Sequence, residues 1–299
     1  MTGKLILVGA SGAMGVATHS VAHQRGFNVL PTYRSRPIAQ GVRFNLEVDS
    51  AEILEIKAED TLILLAASSD QAWVRANPRE ARAVNVDATA RLAREAIRRD
   101  AWVIFISSEA VFGHANPGGW TENGQPCPAT EYGRQKREIE VILQEMGGAT
   151  IVRTGWNVSG RLTDKCVVKN TYESLLKGTA RLADDNVFSL TDVCDTARLL
   201  VQLVPERHIG VVHSVSGVPI TRTQLADEII RSSAIGSAMS YEKIRFADLS
   251  LEEPKSGCAW IRATRMPTSC APKFLLPTEV VSNKVKILDE TFATSRSGS

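Results

Sequence analysis

Apolar runs of four or five residues recur through the first half of the chain, each bounded by turn residues or polar positions. Leu5-Ile-Leu-Val8 stops at Gly9, and Val29-Leu-Pro-Thr-Tyr33, Thr61-Leu-Ile-Leu-Leu65, Trp102-Val-Ile-Phe-Ile106 and Thr150-Ile-Val-Arg153 follow. Runs this short and this continuous predict strands buried on both faces. The stretches Met14–Arg25, Asn77–Arg99 and Thr130–Met146 between them carry helical patterns. Strand and helix alternate, which predicts an α/β fold of the Rossmann type: a doubly wound parallel sheet with helices on both faces. Pro31 has no N–H for a ladder bond, so an irregularity is expected in its strand. Past Arg153 the alternation loosens. Helices are expected over Asp164–Leu176, Asp192–Leu203 and Thr221–Arg231, and a strand over Val211–Val215. Ser237–Pro277 is weakly periodic and reads as part of a smaller C-terminal lobe. The expected division is 1–156 for the sheet domain, with elements around 187–216 returning to it, and 157–299 mainly for the lobe. The small, polar residues Ala293–Ser299 are expected to fray.

Composition narrows the class. With 299 residues, 43% of them hydrophobic, the chain can bury such a core. Charged residues make up 23% and the net charge is only +2, without a dense Lys/Arg block, which argues against nucleic acid as a partner. No apolar stretch reaches transmembrane length, so no membrane partner is expected. Met1-Thr-Gly-Lys4 leads straight into the first strand rather than into a signal peptide. The five cysteines, Cys127, Cys166, Cys194, Cys258 and Cys270, are scattered without a CxxC pair, which suits reduced thiols and a cytoplasmic location. His19, His23, His114, His208 and His213 share no metal-ligand spacing, so no metal is expected.

Gly9-Ala-Ser11-Gly12-Ala13-Met14-Gly15 joins the first strand to the first helix. Gly9 permits a tight turn, Gly12 lets a phosphate approach the backbone, and Gly15 lets helix and sheet pack closely. The helix N-terminus then offers free N–H groups to a pyrophosphate, so a dinucleotide is the expected ligand. Sites for NAD place a carboxylate after the second strand; this chain has Tyr33-Arg34-Ser35-Arg36. Two guanidinium groups and a hydroxyl suit a 2′-phosphate, which predicts NADP(H) in preference to NAD(H). Asn45-Leu46 is expected to cradle the adenine, and Ala66-Ala67 to leave room where the chain passes the cofactor.

Tyr132-Gly-Arg-Gln-Lys136 puts a phenol and an ammonium four residues apart on one helix face. The ammonium stabilises the phenolate, so the tyrosine can exchange a proton with an alcohol or carbonyl. Ser108, ending the strand upstream, would orient the substrate oxygen at the sheet edge where ligands bind. Glu109 beside it reads either as a second acid or as a structural carboxylate. Cys127, in a Pro-Cys-Pro loop, is a candidate to face the substrate, and Arg134 and Arg137 read as solvated.

Taken together, Ser107-Ser-Glu-Ala-Val-Phe112, Trp120-Thr-Glu122, Tyr132–Lys136, Val152-Arg-Thr-Gly-Trp156, Arg82-Ala-Val-Asn85 and Phe188-Ser-Leu-Thr-Asp192 resemble the dTDP-4-dehydrorhamnose reductase branch of the extended short-chain dehydrogenases. The resemblance covers most of residues 4–231. It implies reduction of a 4-keto-6-deoxy nucleotide-sugar by NAD(P)H, with Ser108, Tyr132 and Lys136 as the catalytic set. It also implies that Trp156 lines the sugar site; Ser108, Glu109, Val111 and Asn157 are expected on the substrate side with it, and Arg265 is a candidate to hold a substrate phosphate. The helical stretches 77–99 and 130–146 are the implied surfaces of a homodimer. Departures fall on the substrate side. Glu109 replaces Asp, Asn157 replaces an aliphatic residue, Asp164–Val168 replaces an Asn-Phe pair, and Arg265-Met-Pro-Thr-Ser269 matches only loosely. Arg34-Ser-Arg36 also resembles the regulatory subunit of methionine adenosyltransferase. A non-catalytic NADP-binding subunit and a sugar epimerase or dehydratase therefore stay open beside the reductase.

Overall fold

A computed structural model describes residues 3–267 and 273–297, with side chains through residue 291. The elements run β1 (Leu5–Val8), α1 (Ala13–Gln24), β2 (Val29–Tyr33), β3 (Val42–Arg43), β4 (Thr61–Leu64), α2 (Gln71–Ala76), α3 (Pro78–Arg82), α4 (Thr89–Arg98) and β5 (Trp102–Ser108). They continue through α5 (Glu131–Met146), β6 (Ala149–Thr154), β7 (Trp156–Val158), α6 (Val167–Leu176), β8 (Ala180–Ala183), β9 (Val187–Asp192), α7 (Val193–Glu206) and β10 (Gly210–Ser214). β11 (Pro219–Thr221), α8 (Arg222–Ser232), β12 (Tyr241–Ile244) and α9 (Pro277–Ser297) complete the order.

Seven parallel strands form the main sheet in the order β10-β6-β5-β4-β1-β2-β3, a Rossmann-type arrangement. Strand order reverses between β1 and β4, which opens a crevice at their carboxyl ends. β1 and β4 are buried along their whole length. Ile6, Val8, Leu62 and Leu64 face Leu92, Ala93, Ile139 and Leu143 of α4 and α5. Leu5, Leu7 and Ile63 face Ala22 of α1 and Leu199, Leu200 and Leu203 of α7. Continuous apolar runs are what a sheet covered on both faces requires.

Pro31 causes no irregularity. Asn28 O accepts from Leu5 N and Thr32 O from Ala10 N, so the even-numbered residues of β2 point at β1. Pro31 turns its nitrogen to the outer edge, where β3 begins only opposite Thr32, and no ladder bond is lost. The stretch 77–99 is helical without a break over 78–98 but changes its winding midway. A π-helical turn, Ala83–Ala88, separates α3 from α4. It turns Asn85 inward, where the side chain accepts from Ser68 N (2.8 Å) and donates to Ser68 O (3.0 Å) and Gln135 Oε1 (2.9 Å).

The lobe has its own core, in which Val158, Val168, Tyr172, Leu190, Leu225, Ile229, Val281 and Val285 meet. Two small sheets, β11-β9-β7 and β12-β8, complete it. Thr221 begins α8 with a reciprocal cap: its hydroxyl accepts from Gln224 N, and Gln224 Oε1 accepts from Thr221 N. α9 is absent from the sequence expectation, although Pro277 at its first turn and Val280, Val281, Val285 and Leu288 on one side are its signature. It runs on through Ser297, past the start of the expected fraying. Among the described residues no helix is long and apolar enough to cross a membrane, and no group of side chains could hold a metal ion. Cys127, Cys166, Cys194 and Cys258 are free, and Cys270 lies outside the described residues.

Candidate active site

The glycine turn lies on the crevice. Gly9 has φ +93°, and a Cβ there would fall 2.8 Å from Ala66 N; one on Gly15 would fall 2.5 Å from Ala10 Cα. These two positions exclude any side chain. Gly12 differs: a Cβ there would meet nothing nearer than Gly9 O at 3.5 Å, so its missing side chain leaves open space. α1 has no side-chain cap and no acidic residue in its first turn, and Ser11, Ala13 and Met14 surround its start half-buried. An uncapped helix start behind an open glycine fits a dinucleotide pyrophosphate. Thr32, which sequence reasoning missed, pins the turn: its hydroxyl accepts from Gly9 N and donates to Leu7 O, both at 3.1 Å.

Tyr33 ends β2, and Arg34, Ser35 and Arg36 follow it exposed. Arg34 lies 3.7 Å from Glu47, a screened surface pair that leaves the guanidinium available. Asn45 Oδ1 accepts from Glu47 N, and Leu46 is packed into the core beneath α4. Ala66 N donates to Val8 O, which brings Ala66 and Ala67 alongside the glycine turn.

Ser108 ends β5, and its Oγ accepts from Ala110 N at 3.2 Å, opening the single helical turn Glu109–Val111. Thr130 caps α5 by accepting from Gly133 N. A Cβ on Gly133 would lie 2.1 Å from Ala110 O, so α5 presses onto that turn as only glycine allows, and Tyr132 is carried to Ser108. Burial pushes the Tyr132 phenol up to about 12, opposed only by a hydrogen bond with Ser108, so the lowering expected from the Lys136 ammonium is not found. Lys136 is buried one turn on, 5.8 Å from the Tyr132 ring centre, and its Nζ donates to Ile106 O at 2.8 Å. Burial lowers its pKa to about 8, opposed by the charge of Glu140.

Glu140 and Arg153 form the support that sequence reasoning missed. The fully buried Glu140 carboxylate accepts from Ser107 Oγ at 2.6 Å, Arg153 Nε at 2.8 Å and Nη2 at 2.7 Å, and Arg137 Nη1 at 3.1 Å. Arg137 is therefore tied to a buried acid rather than solvated; Arg134 is exposed and paired with Glu131. Arg153 in the run Thr150-Ile-Val-Arg153 was the available signal, because an arginine within a buried strand needs a carboxylate partner.

The lobe supplies the opposite wall. Glu109 is buried beside Ser108, and Ser189 N and the Trp156 side chain are hydrogen-bonded to its carboxyl. Burial carries its pKa to about 8 against those bonds. Trp156 is 41% exposed and tilts against Phe188 at 4.9 Å between ring centres. The Arg222 guanidinium lies 5.8 Å from the Trp156 ring centre. Asn157 is exposed and donates to Thr154 Oγ1. Val111 does not reach this wall: it is fully buried with Phe112, Val215 and Ile261, because the tight turn after Ser108 sends it inward. Arg265 is exposed on the segment after Ile261, and Thr268 and Ser269 lie outside the described residues. Cys127 is exposed in its loop.

A parallel sheet with a glycine turn at its switch point, a Ser/Tyr/Lys group on the neighbouring strand and helix, and a lobe over both is the arrangement of an extended short-chain dehydrogenase/reductase. Residues 3–254 match the RmlD substrate binding domain family, and the chain belongs to it. It is 27% identical over 225 residues to a dTDP-4-dehydrorhamnose reductase of Mycobacterium tuberculosis, covering 73% of this chain and 72% of that protein. It is 29% identical over 153 residues to the methionine adenosyltransferase 2 subunit beta of Pongo abelii. That match takes in 50% of this chain and 46% of the relative, so the chain spans about half the length of that protein. The crystal structure of dTDP-4-dehydrorhamnose reductase from Bacillus anthracis in complex with NADP has the same fold. Its TM-score is 0.78 at 18% identity, over 97% of this chain and all of that one.

Proposed function

We propose that this chain is an NADPH-dependent reductase of a keto group on a nucleotide-linked sugar, with Tyr132 as the proton donor. The gathering of Ser108, Tyr132 and Lys136 beside the glycine turn carries the reading. The M. tuberculosis relative and the NADP in the B. anthracis complex support it from outside.

When bound, the reduced nicotinamide supplies the hydride that goes to the carbonyl carbon. Ser108 donates to the carbonyl oxygen and orients it. Tyr132 releases its proton to that oxygen, completing the alcohol; like any phenol it carries that proton at neutral pH. Lys136 keeps a positive charge behind the phenolate that remains. Gly9, Gly12, Gly15 and the start of α1 would hold the pyrophosphate, and Arg34, Ser35 and Arg36 the 2′-phosphate.

The test is NADPH oxidation against a panel of keto nucleotide-sugars, with Tyr132→Phe as the comparison. Turnover in the variant should fall about a hundred- to ten-thousandfold while NADPH still binds. Full turnover in Tyr132→Phe would remove Tyr132 from the mechanism. The match to the methionine adenosyltransferase subunit favours a second reading, a binding-only subunit of another enzyme. That reading predicts tight NADPH binding with no turnover on any panel member.

A further inference from the structure

Among the described residues Arg222 is a guanidinium without a counter-charge. Its neighbours in the lobe are paired: Arg181 with Glu242, Arg231 with Glu228 and Arg245 with Asp184. Among the described residues the Arg222 side chain makes no ion pair and no hydrogen bond, and its guanidinium lies over the Trp156 ring. It is only half exposed to water at most, being of intermediate burial, and desolvation alone brings its pKa down to about 10, with no neighbouring acid opposing. A charge drawn out of water and left unpaired is costly, so an external anion is the natural completion of such a site.

Its position says which anion. Arg222 flanks Trp156, the Trp156 side chain is bonded to Glu109, and Glu109 follows Ser108. These contacts link Arg222, through Trp156 and Glu109, to Ser108. Burial raises the pKa of Glu109 to about 8, which favours its neutral form and weakens any competition with an anion for Arg222. Arg265, the guanidinium marked for this task by the sequence, is exposed, where its charge is better screened.

We propose that Arg222 binds the diphosphate of the nucleotide-linked substrate, with the sugar reaching past Trp156 to Ser108 and Tyr132. The assignment rests on the reductase reading above. The experiment titrates UDP and dTDP, and separately uridine and thymidine, into full-length protein saturated with NADPH so that the cofactor site is closed to them. Arg222→Gln should weaken both diphosphates about ten- to hundredfold, the loss expected for charged hydrogen bonds. Nucleoside and NADPH affinities should stay unchanged, and Arg222→Lys should recover part of the diphosphate affinity. Without ligand, Arg222→Gln should melt at or above the wild type, since it removes an uncompensated charge.

Equal diphosphate affinity in wild type and Arg222→Gln would overturn the assignment and leave the reductase intact. So would a parallel loss of nucleoside affinity, or a variant that melts well below wild type, because either would make Arg222 a packing residue. Wild-type protein that binds NADPH but neither diphosphate would overturn the nucleotide-sugar reading itself, and the assignment with it.

Discussion

At Glu109 a carboxyl sits inside the protein one residue from Ser108, and its protonation belongs to the fold. Its folded pKa, about 8, stands above the ordinary 4.5, so the neutral form favours folding. That contribution is complete below about pH 4.5 and is lost as pH rises through about 8. Glu109→Gln is neutral at every pH. In paired thermal melts it should match the wild type near the acid end of that range and melt higher at about pH 9. A melting difference that does not change with pH would mean the carboxyl is ionised in the folded protein. At this scale the sequence was informative about identity and silent about burial. Ser108, Tyr132 and Lys136 could be named from their motifs. Val111 could not be assigned correctly, because a single tight turn decides whether it faces the cleft or the core.

At the scale of the element, α5 is fixed by the contacts of one side. Gly133, Lys136 and Glu140 lie along one side of it, against Ala110, Ile106 and Arg153 respectively. The Glu140 charge works against the burial that lowers the Lys136 pKa. Glu140→Gln should therefore cost about 3 kcal/mol by stranding buried Arg153, read as a drop in denaturant midpoint. In whatever remains folded it should move the alkaline limb of the pH–rate profile to lower pH. An unmoved limb in a destabilised variant would confine Glu140 to a structural role. The helix itself was legible, from its spacing and from Thr130 at its head. Its partners were not, because Glu140 and Arg153 are brought together by the packing of α5 on β6.

At the scale of the whole molecule, the reversal of strand order between β1 and β4 places the glycine turn, the end of β2 and the end of β5 around one crevice. The lobe reaches across to the sheet domain: Arg75 pairs with Glu252, Glu253 accepts from Glu131 N, and Glu122 accepts from Thr264. Cofactor choice belongs to this scale, since on the proposed reading Arg34 and Arg36 would meet the dinucleotide where β2 and α1 converge. Replacing both by alanine should weaken NADPH about ten- to hundredfold and leave NADH unchanged, measured by direct titration. Equal weakening of both cofactors would detach these arginines from the 2′-phosphate. Ligand at about a hundred times its Kd should also stabilise the wild type by about 2.7 kcal/mol, a gain the double variant should lose at the same NADPH concentration.

By itself the sequence determined what short-range chemistry can determine. Continuous apolar runs specify buried parallel strands, three glycines specify the turn between β1 and α1, and Tyr132 and Lys136 share a face through helical periodicity. Tertiary structure alone decided the rest. It set the Glu140–Arg153 pair, the burial that raises the pKa values of Glu109 and Tyr132, the outward nitrogen of Pro31 and the unpaired Arg222 beside Trp156. Each of these depends on which distant segments exclude water from a given side chain, and residue order along one strand or helix does not encode that.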